Sequence, residues 1–190
     1  MENTGKEKWK PGNMLYPVPA VMVSCADQDI DPNIITVAWT GTICTNPPMV
    51  YISVRPERYS YDIIKNSGEF VINLPTKELT EATDWCGVKS GRDFNKFKKM
   101  KLTPKMGSLK KAPIIEESPL ALECEVTEII PLGSHHMFLA KIKAVWVDTK
   151  YMDEKGKFCL DEAGIITYSH GKYFELGDII GKFGYSVKKK

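Results

Sequence analysis

The segment from Asn33 to Tyr61 combines side chains that can bind an anion with side chains that can border a flat ring. Hydroxyls, a glycine and a tryptophan lie between two apolar runs, in the order Thr-Val-Ala-Trp-Thr-Gly-Thr. Two arginines, Arg55 and Arg58, follow the second run, just before a possible helix start. Guanidinium forks, hydroxyls and backbone N–H groups at a helix start are the donors that a phosphate group requires. The segment therefore predicts a site for an anionic, aromatic cofactor.

The phosphate anchor is predicted from residue type and position. Its candidate members are cationic and hydroxyl side chains on either side of the second apolar run: Thr42 or Thr45, Arg55, Arg58 and Ser60. A helix that begins near Ser60 would direct its N–H groups toward the same anion. Both arginines could instead form ion pairs at the surface, and the sequence leaves this alternative open.

Apolar periodicity predicts the elements that position these side chains. Strands are predicted over residues 18–26, 34–40, 49–54, 69–74, 121–129 and 137–147, with a hairpin turn over 27–33. Short helices are predicted over 61–66, from Thr76 to about 85, and from Asp93; Ser60 is the expected cap of the first and Gly68 its stop. Residues 131–136 join the last two strands into a long antiparallel pair. Periodicity thus predicts a mainly β, antiparallel domain with short helices, closed or nearly closed as a barrel.

Length and composition narrow the class of protein. A chain of 190 residues suits one domain, 1–190, in which residues 1–12 are expected to be loosely ordered. Its 43% hydrophobic and 26% charged residues are typical of a globular protein, and its net charge of +2 gives no reason to expect nucleic-acid binding. The basic runs at 98–101 and 188–190 are expected to be solvated surface. Without a membrane-length apolar run or a signal peptide, we expect a cytoplasmic protein without membrane contact.

The five cysteines do not suggest a disulfide framework or a metal site. They are widely spaced, lack a Cys-x-x-Cys pair and are odd in number: Cys25, Cys44, Cys86, Cys124 and Cys159. Cys86 precedes the Ser90-Gly91 turn, so it could face a ligand or act in redox chemistry, although a buried structural thiol is favoured. The three histidines have no metal-ligand spacing, and no metal site is predicted.

Several motifs in fixed order resemble the flavoredoxin branch of the flavin reductase-like family. The first block reads N-x-x-T-x-A-W-T-G from Asn33, then N-P-P-M-V from Asn46, then R-P-x-R-Y-S-Y from Arg55. Later matches are G-E-F-V-I-N-L-P over 68–75, S-G-R-D over 90–93 with Lys96-Phe97, and G-K-F-G over 181–184. The resemblance spans roughly residues 13–187, which is nearly the whole chain.

The resemblance implies an antiparallel split β-barrel that binds FMN. The implied cofactor-binding residues are Asn33, Thr36, Val37, Ala38, Trp39, Thr40, Thr42, Arg55, Arg58, Ser60, Ser90, Gly91 and Lys96. Residues 36–40 would run along the flavin edge, where backbone N–H groups stabilise negative charge on the reduced ring. Trp39 would stack on or border the ring, although a core tryptophan is the alternative. Ser90-Gly91 would allow close backbone approach at the mouth of the site, or form only an ordinary turn.

Two adjacent histidines are the candidate catalytic residues. Related flavin reductases carry a histidine in a Gly-Asp-His motif near the nicotinamide, whereas this chain has Gly-Ser-His-His over 133–136. Because the aspartate is replaced, either His135 or His136 could face the ligand, or the loop could be only a polar turn.

Two functions follow from the resemblance. In the first, an oxidoreductase takes a hydride from NADH or NADPH as a transient co-substrate and passes electrons through FMN to free flavin, ferric iron or a protein acceptor. In the second, a non-enzymatic flavoredoxin-like carrier keeps FMN bound and relays electrons between protein partners. The lack of a dinucleotide-binding glycine motif is compatible with both. A barrel without a cofactor is the remaining alternative.

The resemblance also implies a homodimer with the flavin near the subunit boundary. Residues 173–185 are rich in aromatic and aliphatic side chains, interrupted by three glycines that disfavour a long helix. Such a segment needs a surface to cover, which could be the partner's site or its own barrel.

Overall fold

A computed structural model describes residues 5–187, which contain twelve β-strands and three α-helices. The strands are β1 (Val18–Pro19), β2 (Val21–Asp27), β3 (Ile30–Val37), β4 (Thr40–Cys44), β5 (Met49–Val54), β6 (Glu69–Leu74), β7 (Pro104–Lys105), β8 (Ile114–Ile115), β9 (Leu120–Pro131), β10 (His136–Val147), β11 (Ile166–Ser169) and β12 (Lys172–Glu175). The α-helices are α1 (Tyr59–Ser67), α2 (Thr80–Val88) and α3 (Lys96–Met100). Short 3₁₀ helices cover Lys77–Leu79, Thr149–Tyr151, Leu160–Ala163 and Tyr185–Val187.

The central sheet has seven antiparallel strands in the order β3-β2-β6-β9-β10-β5-β4. Its two edge strands, β3 and β4, follow one another in the chain and are joined by Ala38 and Trp39. The backbone N–H of Ser53 donates to the carbonyl of Trp39 at 2.8 Å, which fixes this link beside β5. The two edge strands are therefore connected along the chain but do not pair with each other, so the curled sheet is not closed by hydrogen bonds. The predicted antiparallel split barrel is confirmed.

The core lies inside this curled sheet and under α1. Its fully buried side chains include Phe70 on β6, Phe138 on β10 and Ile52 on β5, together with Ile63 and Ile64 of α1. Each such side chain contributes about 1.5–3 kcal/mol by leaving water. Side chains of β5, α1 and β10 all pack in this core. The loops at the ends of these three elements therefore begin at fixed positions.

Most predicted elements are confirmed, but the single strand predicted over 18–26 is divided between β1 and β2, which lie in different sheets, and the turn predicted over 27–33 is shorter because β3 begins at Ile30. The strand over 69–74 and the β9–β10 pair match the prediction, with Val147 opposite Leu120 in the pair. The strand β4 was missed, because its hydroxyl-rich sequence was interpreted as a connection. Ser60 does not cap α1: the helix begins two residues earlier than predicted, at Tyr59 with Arg58 as its N-cap residue, and ends as predicted before Gly68 (φ 72°).

Two other helices begin later than predicted. The segment after Thr76 first forms a 3₁₀ turn, and α2 begins only at Thr80. The helix α3 begins at Lys96 rather than Asp93, because the Asn95 side chain accepts the N–H of Lys98 and so caps it.

A small sheet beside the barrel joins an early segment of the chain to a late one. Its order is β1-β11-β12, so residues shortly after the N-terminus pair with a strand near the C-terminus. Residues 5–12 and 176–184 form neither helix nor strand, whereas the basic run 188–190 and part of the 1–12 segment lie outside the described residues. In the described part of the chain, no helix is long and apolar enough to cross a membrane.

Candidate functional site

Two adjoining cavities lie where β3, β5 and α1 meet. The larger has a volume of about 940 Å³ and is bordered by residues 35–40, the end of β5, the β9–β10 loop and residues 12–15. The smaller has a volume of about 290 Å³ and lies between the start of α1 and the turn after α2. Ile35 and Arg58 border both cavities, so the two spaces meet at these residues.

The inner wall of the larger cavity is the predicted segment Thr36 to Thr40. The Thr40 hydroxyl donates to the Tyr51 carbonyl at 2.7 Å, and the Thr36 hydroxyl donates to the Thr83 carbonyl. The hydroxyl hydrogens of both threonines are therefore used within the protein, so this wall offers a ligand no threonine O–H donor, and backbone and the partly buried Trp39 ring also border the cavity. Thr42 is exposed and borders neither cavity, so its predicted contact has no support in this geometry.

The smaller cavity is rich in cationic side chains. Among the described residues, Glu57 is the single carboxylate that borders it. Four cationic side chains border it: Arg58, Lys89, Arg92 and Lys96. The start of α1 also points here, since Arg58 is its N-cap residue and no side chain caps its first N–H groups. A dianion at this helix end would accept hydrogen bonds from both the N–H groups and the guanidinium groups.

Gly91 gives this cavity its shape. A Cβ at this position would lie 2.2 Å from Asn33 Oδ1 and 2.6 Å from Tyr59 Cδ1, so only glycine fits without displacement of its neighbours. The Asn33 amide in turn donates to the buried Ser60 hydroxyl at 2.8 Å. Ser90 accepts the backbone N–H of Arg92 at 3.1 Å. The predicted residues of this part therefore form one connected cradle.

Lys96 is at the base of the cradle and is only 3% exposed. Its Nζ donates to the carbonyls of Ile34 and Cys86, at 2.7 Å each. Burial lowers the pKa of this ammonium, while the neighbouring Cys86 and Cys25 act in the opposite direction. Lys96 thus ties β3 to α2 and contributes positive charge beneath the cavity.

Sequence analysis missed Arg92, although it lies in the quoted S-G-R-D motif. Its guanidinium lies 5.4 Å from the centroid of the Tyr59 ring and donates to the Glu57 carbonyl at 3.2 Å. Its position directly after the Ser90-Gly91 turn is the sequence feature that could have identified it as part of the site.

The structure separates the two candidate histidines. His135 borders the larger cavity, and its Nδ1 lies 2.9 Å from the Ser134 hydroxyl. Burial, followed by the charge of Arg55, lowers its pKa. His136 does not border the cavity: its Nδ1 lies 2.7 Å from the Tyr61 hydroxyl, beneath the strand.

The structure bears on two alternatives that the sequence left open, a surface ion pair for Arg55 and a reactive thiol for Cys86. Arg55 borders the larger cavity, yet its side chain is half exposed and lies 3.4 Å from Glu57. Cys86 is fully buried by surface area, and that burial raises the pKa of its thiol to about 11, which disfavours a reactive thiolate. All five cysteines are free thiols, and the described residues contain no cluster of metal-ligating side chains.

The donor set suits FMN. The smaller cavity, bordered by four cationic side chains, suits a compact phosphate, and a large cavity edged by backbone suits a flat ring. Because Arg58 borders both cavities, the phosphate position and the ring position belong to one continuous site.

Comparisons with known proteins agree with the fold. The family model for the flavin reductase like domain matches residues 14–177, and the chain belongs to this family. The flavoredoxin of Desulfovibrio vulgaris (Miyazaki F) is 29% identical, with a TM-score of 0.89 over 96% of this chain and 100% of that one. A flavoredoxin from Methanosarcina acetivorans is 28% identical, with a TM-score of 0.85 and the same coverage.

A more distant structure shares the fold alone. It is an FMN-binding protein from Thermus thermophilus with bound 1-cyclohex-2-enone. It is 24% identical, with a TM-score of 0.74 over 92% of this chain and 96% of that one.

Proposed function

We propose that this protein binds FMN and transfers electrons through it from NADH or NADPH to free flavin, ferric iron or a protein acceptor. The observation that supports this most is the cationic cavity at the start of α1, which opens into the larger cavity at Arg58. The names of the similar structures, two flavoredoxins and an FMN-binding protein, favour the same cofactor. The bound flavin would supply the redox chemistry, and the protein supplies binding, orientation and electrostatics.

The chain's own residues have distinct roles in this proposal. Arg58, Arg92 and the N–H groups of α1 hold the phosphate, while Lys96 adds charge from below. The backbone of residues 36–40 borders the ring, and Trp39 limits its position. His135 borders the same cavity, and because its pKa is lowered its imidazole is neutral at neutral pH. A neutral imidazole can exchange a proton at Nε2 with a ligand in the cavity.

The second candidate is an electron carrier that keeps FMN bound and exchanges electrons only with proteins. Its support is that the two flavoredoxins cover nearly the whole chain at the TM-scores given above. The two candidates share the site and differ only in the electron donor.

An anaerobic reduction experiment distinguishes the candidates. Flavin released by acid should first be identified by chromatography as FMN, since predominant FAD would contradict the cofactor assignment. The loaded protein is then mixed with NADH or NADPH, and the flavin absorbance is followed. Bleaching within seconds is the expected result for the oxidoreductase. A persistent oxidised spectrum that is lost on adding reduced ferredoxin would support the carrier instead.

We further propose a homodimer in which the C-terminal segment, residues 176–187, covers the partner. Within one protomer its apolar side chains have nothing to cover them: Leu176, Ile179, Ile180, Phe183, Tyr185 and Val187 are all exposed. Exposed apolar side chains in one continuous segment are typical of an interaction surface.

The double substitution Ile180→Ser/Phe183→Ser is expected to convert the dimer to monomer, because it removes two wholly exposed apolar side chains without disturbing the protomer core. Light scattering gives the mass, and flavin content per chain shows whether the segment also supports the site. The control is Met106→Ser, which changes an exposed apolar residue outside this segment. A double variant that stays dimeric with full flavin would contradict the proposal.

A further inference from the structure

Positive charge is concentrated in one short part of the chain. Residues 85–105 contain seven lysine and arginine side chains and one aspartate, which gives them a formal charge of +6. The whole chain has a net charge of +2, so the remaining residues together carry −4. The small net charge therefore conceals an asymmetric distribution, in which α3 and the turn before it are strongly positive.

The packing of α3 directs this charge outward. Lys96 and Phe97 are buried, and Phe97 belongs to a hydrophobic cluster that it shares with α2. Lys98 and Lys99 follow on the other side of the short helix and are exposed, as is Lys101 at its end. The basic run is thus anchored to the fold by the two residues that precede it, and its ammonium groups face water.

Most cations of this region lack an acidic partner among the described residues. Lys105 is the exception, since it pairs with Glu116 at 2.7 Å. The described part of the chain contains no ion pair to the other exposed lysines of this region: Lys89, Lys98, Lys99 and Lys101. Several unpaired charges of one sign on one surface complement a partner of the opposite sign.

Two exposed apolar side chains lie among these cations. Val88 is 67% exposed at the end of α2, and Phe94 is 40% exposed. The Phe94 ring packs edge-on against Trp85, with the ring centroids 5.3 Å apart. Protein–protein interfaces combine apolar and aromatic side chains at their centre with a charged rim. We call this surface the basic face, and its members are Val88, Lys89, Arg92, Phe94, Lys98, Lys99 and Lys101.

The basic face adjoins the phosphate position of the proposed site. Lys89 and Arg92 belong to the face and also border the smaller cavity. A bound phosphate group carries about −1.5 to −2 charges at neutral pH, so it would offset only part of the positive charge. A macromolecule that binds the face would therefore meet a positive surface and lie beside one end of the FMN.

We propose that the basic face is the docking surface for a small acidic redox protein that exchanges electrons with the bound flavin. Lys98, Lys99 and Lys101 attract carboxylates of the partner, and Phe94 contacts its apolar centre. The exposed apolar pair of Val88 and Phe94 favours a protein over a nucleic acid. This inference rests on the proposed function, because it assigns the charge and the position of the protein partner.

The salt dependence of electron transfer tests the charge complementarity. An acidic [2Fe–2S] ferredoxin, reduced beforehand, is mixed anaerobically with FMN-loaded protein, and the flavin absorbance is followed. Two ferredoxins are oxidised by one electron each for every flavin that is reduced, and the accompanying protons come from the buffer. The second-order rate constant should fall by about tenfold or more between about 0.01 M and about 1 M salt, because the Debye length shortens from roughly 30 Å to roughly 3 Å.

A double charge reversal tests the lysines of the face. Lys98→Glu/Lys99→Glu should lower the rate constant at low salt by about tenfold or more and remove most of its salt dependence. Neither lysine borders the two cavities of the site, so FMN affinity should stay close to wild type. The matched control is Lys155→Glu/Lys157→Glu, which makes the same change of charge at exposed positions outside the face. It should keep most of the wild-type rate and of its salt dependence.

Phe94 is tested by direct binding of oxidised ferredoxin, which is measured by calorimetry without electron transfer. Phe94→Ser should raise the dissociation constant by about tenfold, because an aromatic side chain leaves the centre of the interface. Phe94→Tyr keeps the ring and should bind as wild type. Thermal unfolding of both variants separates loss of the contact from loss of the fold. Normal binding by Phe94→Ser would overturn the role of Phe94.

The outcomes also separate the docking surface from the proposed function. Failure of the wild-type protein to retain FMN would overturn both. Normal FMN binding with a salt-independent rate, or with equal losses in the two double variants, would overturn the docking surface alone. A single-stranded oligonucleotide could instead bind more tightly than oxidised ferredoxin and lose that binding in Lys98→Glu/Lys99→Glu. That result would overturn the protein partner in favour of a nucleic acid.

Discussion

Replacing Arg58 with alanine is expected to weaken FMN binding by about 1.5–3 kcal/mol, the usual contribution of a hydrogen bond to a charged group. Arg58 borders both cavities and stands at the N-cap position of α1, so its guanidinium is beside the phosphate position. Without the Arg58 guanidinium, the FMN phosphate would have fewer hydrogen-bond donors at the start of α1. Titration of the apoprotein with FMN, followed by flavin fluorescence, gives the change in dissociation constant.

Riboflavin is the matched control for this variant, since it has the ring but lacks the phosphate. Its affinity should change little on the Arg58→Ala substitution. Equal losses for FMN and riboflavin would show that Arg58 acts on the fold or on the ring instead. Arg55→Ala should cost less FMN affinity than Arg58→Ala, because Arg55 is half exposed and lies outside the smaller cavity.

The barrel strands were predictable because their patterns extend over many residues. In β9 and β10, apolar and polar residues alternate over long stretches that are interrupted by two register shifts, and a single loop joins the strands. The strand β4 escaped prediction for the opposite reason. Its five residues contain two threonines and a glycine, and its place is set by pairing with β5 rather than by its own periodicity.

The residues that border the two cavities were predictable where one segment of the chain supplies them. Residues 36–40 and Arg58 belong to the motifs around the first strands, and they do meet at the two cavities. The contribution of residues 12–15 could not be predicted, because it depends on Tyr16 contacting Tyr168, about 150 positions away in the chain. Thr36 and Thr40 border the larger cavity as predicted. Their hydroxyls donate to the carbonyls of Thr83 and Tyr51, and the sequence could not show these long-range contacts.

Gly91→Ala is expected to damage the phosphate cradle without any change of charge. The new Cβ would lie 2.2 Å from Asn33 Oδ1 and 2.6 Å from Tyr59 Cδ1, so both side chains must move. Moving Asn33 breaks its 2.8 Å bond to Ser60 beside the first turn of α1. Overpacking of this kind costs about 1–3 kcal/mol of stability, and the displaced groups are those that surround the phosphate. We therefore expect loss of both unfolding free energy and FMN affinity, measured by urea denaturation of the apoprotein and by flavin titration.

Gly177→Ala is the control for that substitution, because a Cβ at this position would have no atom within 4 Å and the φ of Gly177 is not positive. It should leave stability, FMN affinity and, because Gly177 lies in the segment proposed to cover the partner, the mass measured by light scattering close to wild type. Riboflavin again separates the causes: Gly91→Ala should weaken FMN more than riboflavin, since the clash lies at the cradle and not at residues 36–40. A variant that binds FMN normally, with unchanged stability, would show that the turn can relax by the distance needed. The smaller cavity would then be too adaptable to be the rigid phosphate cradle proposed for it.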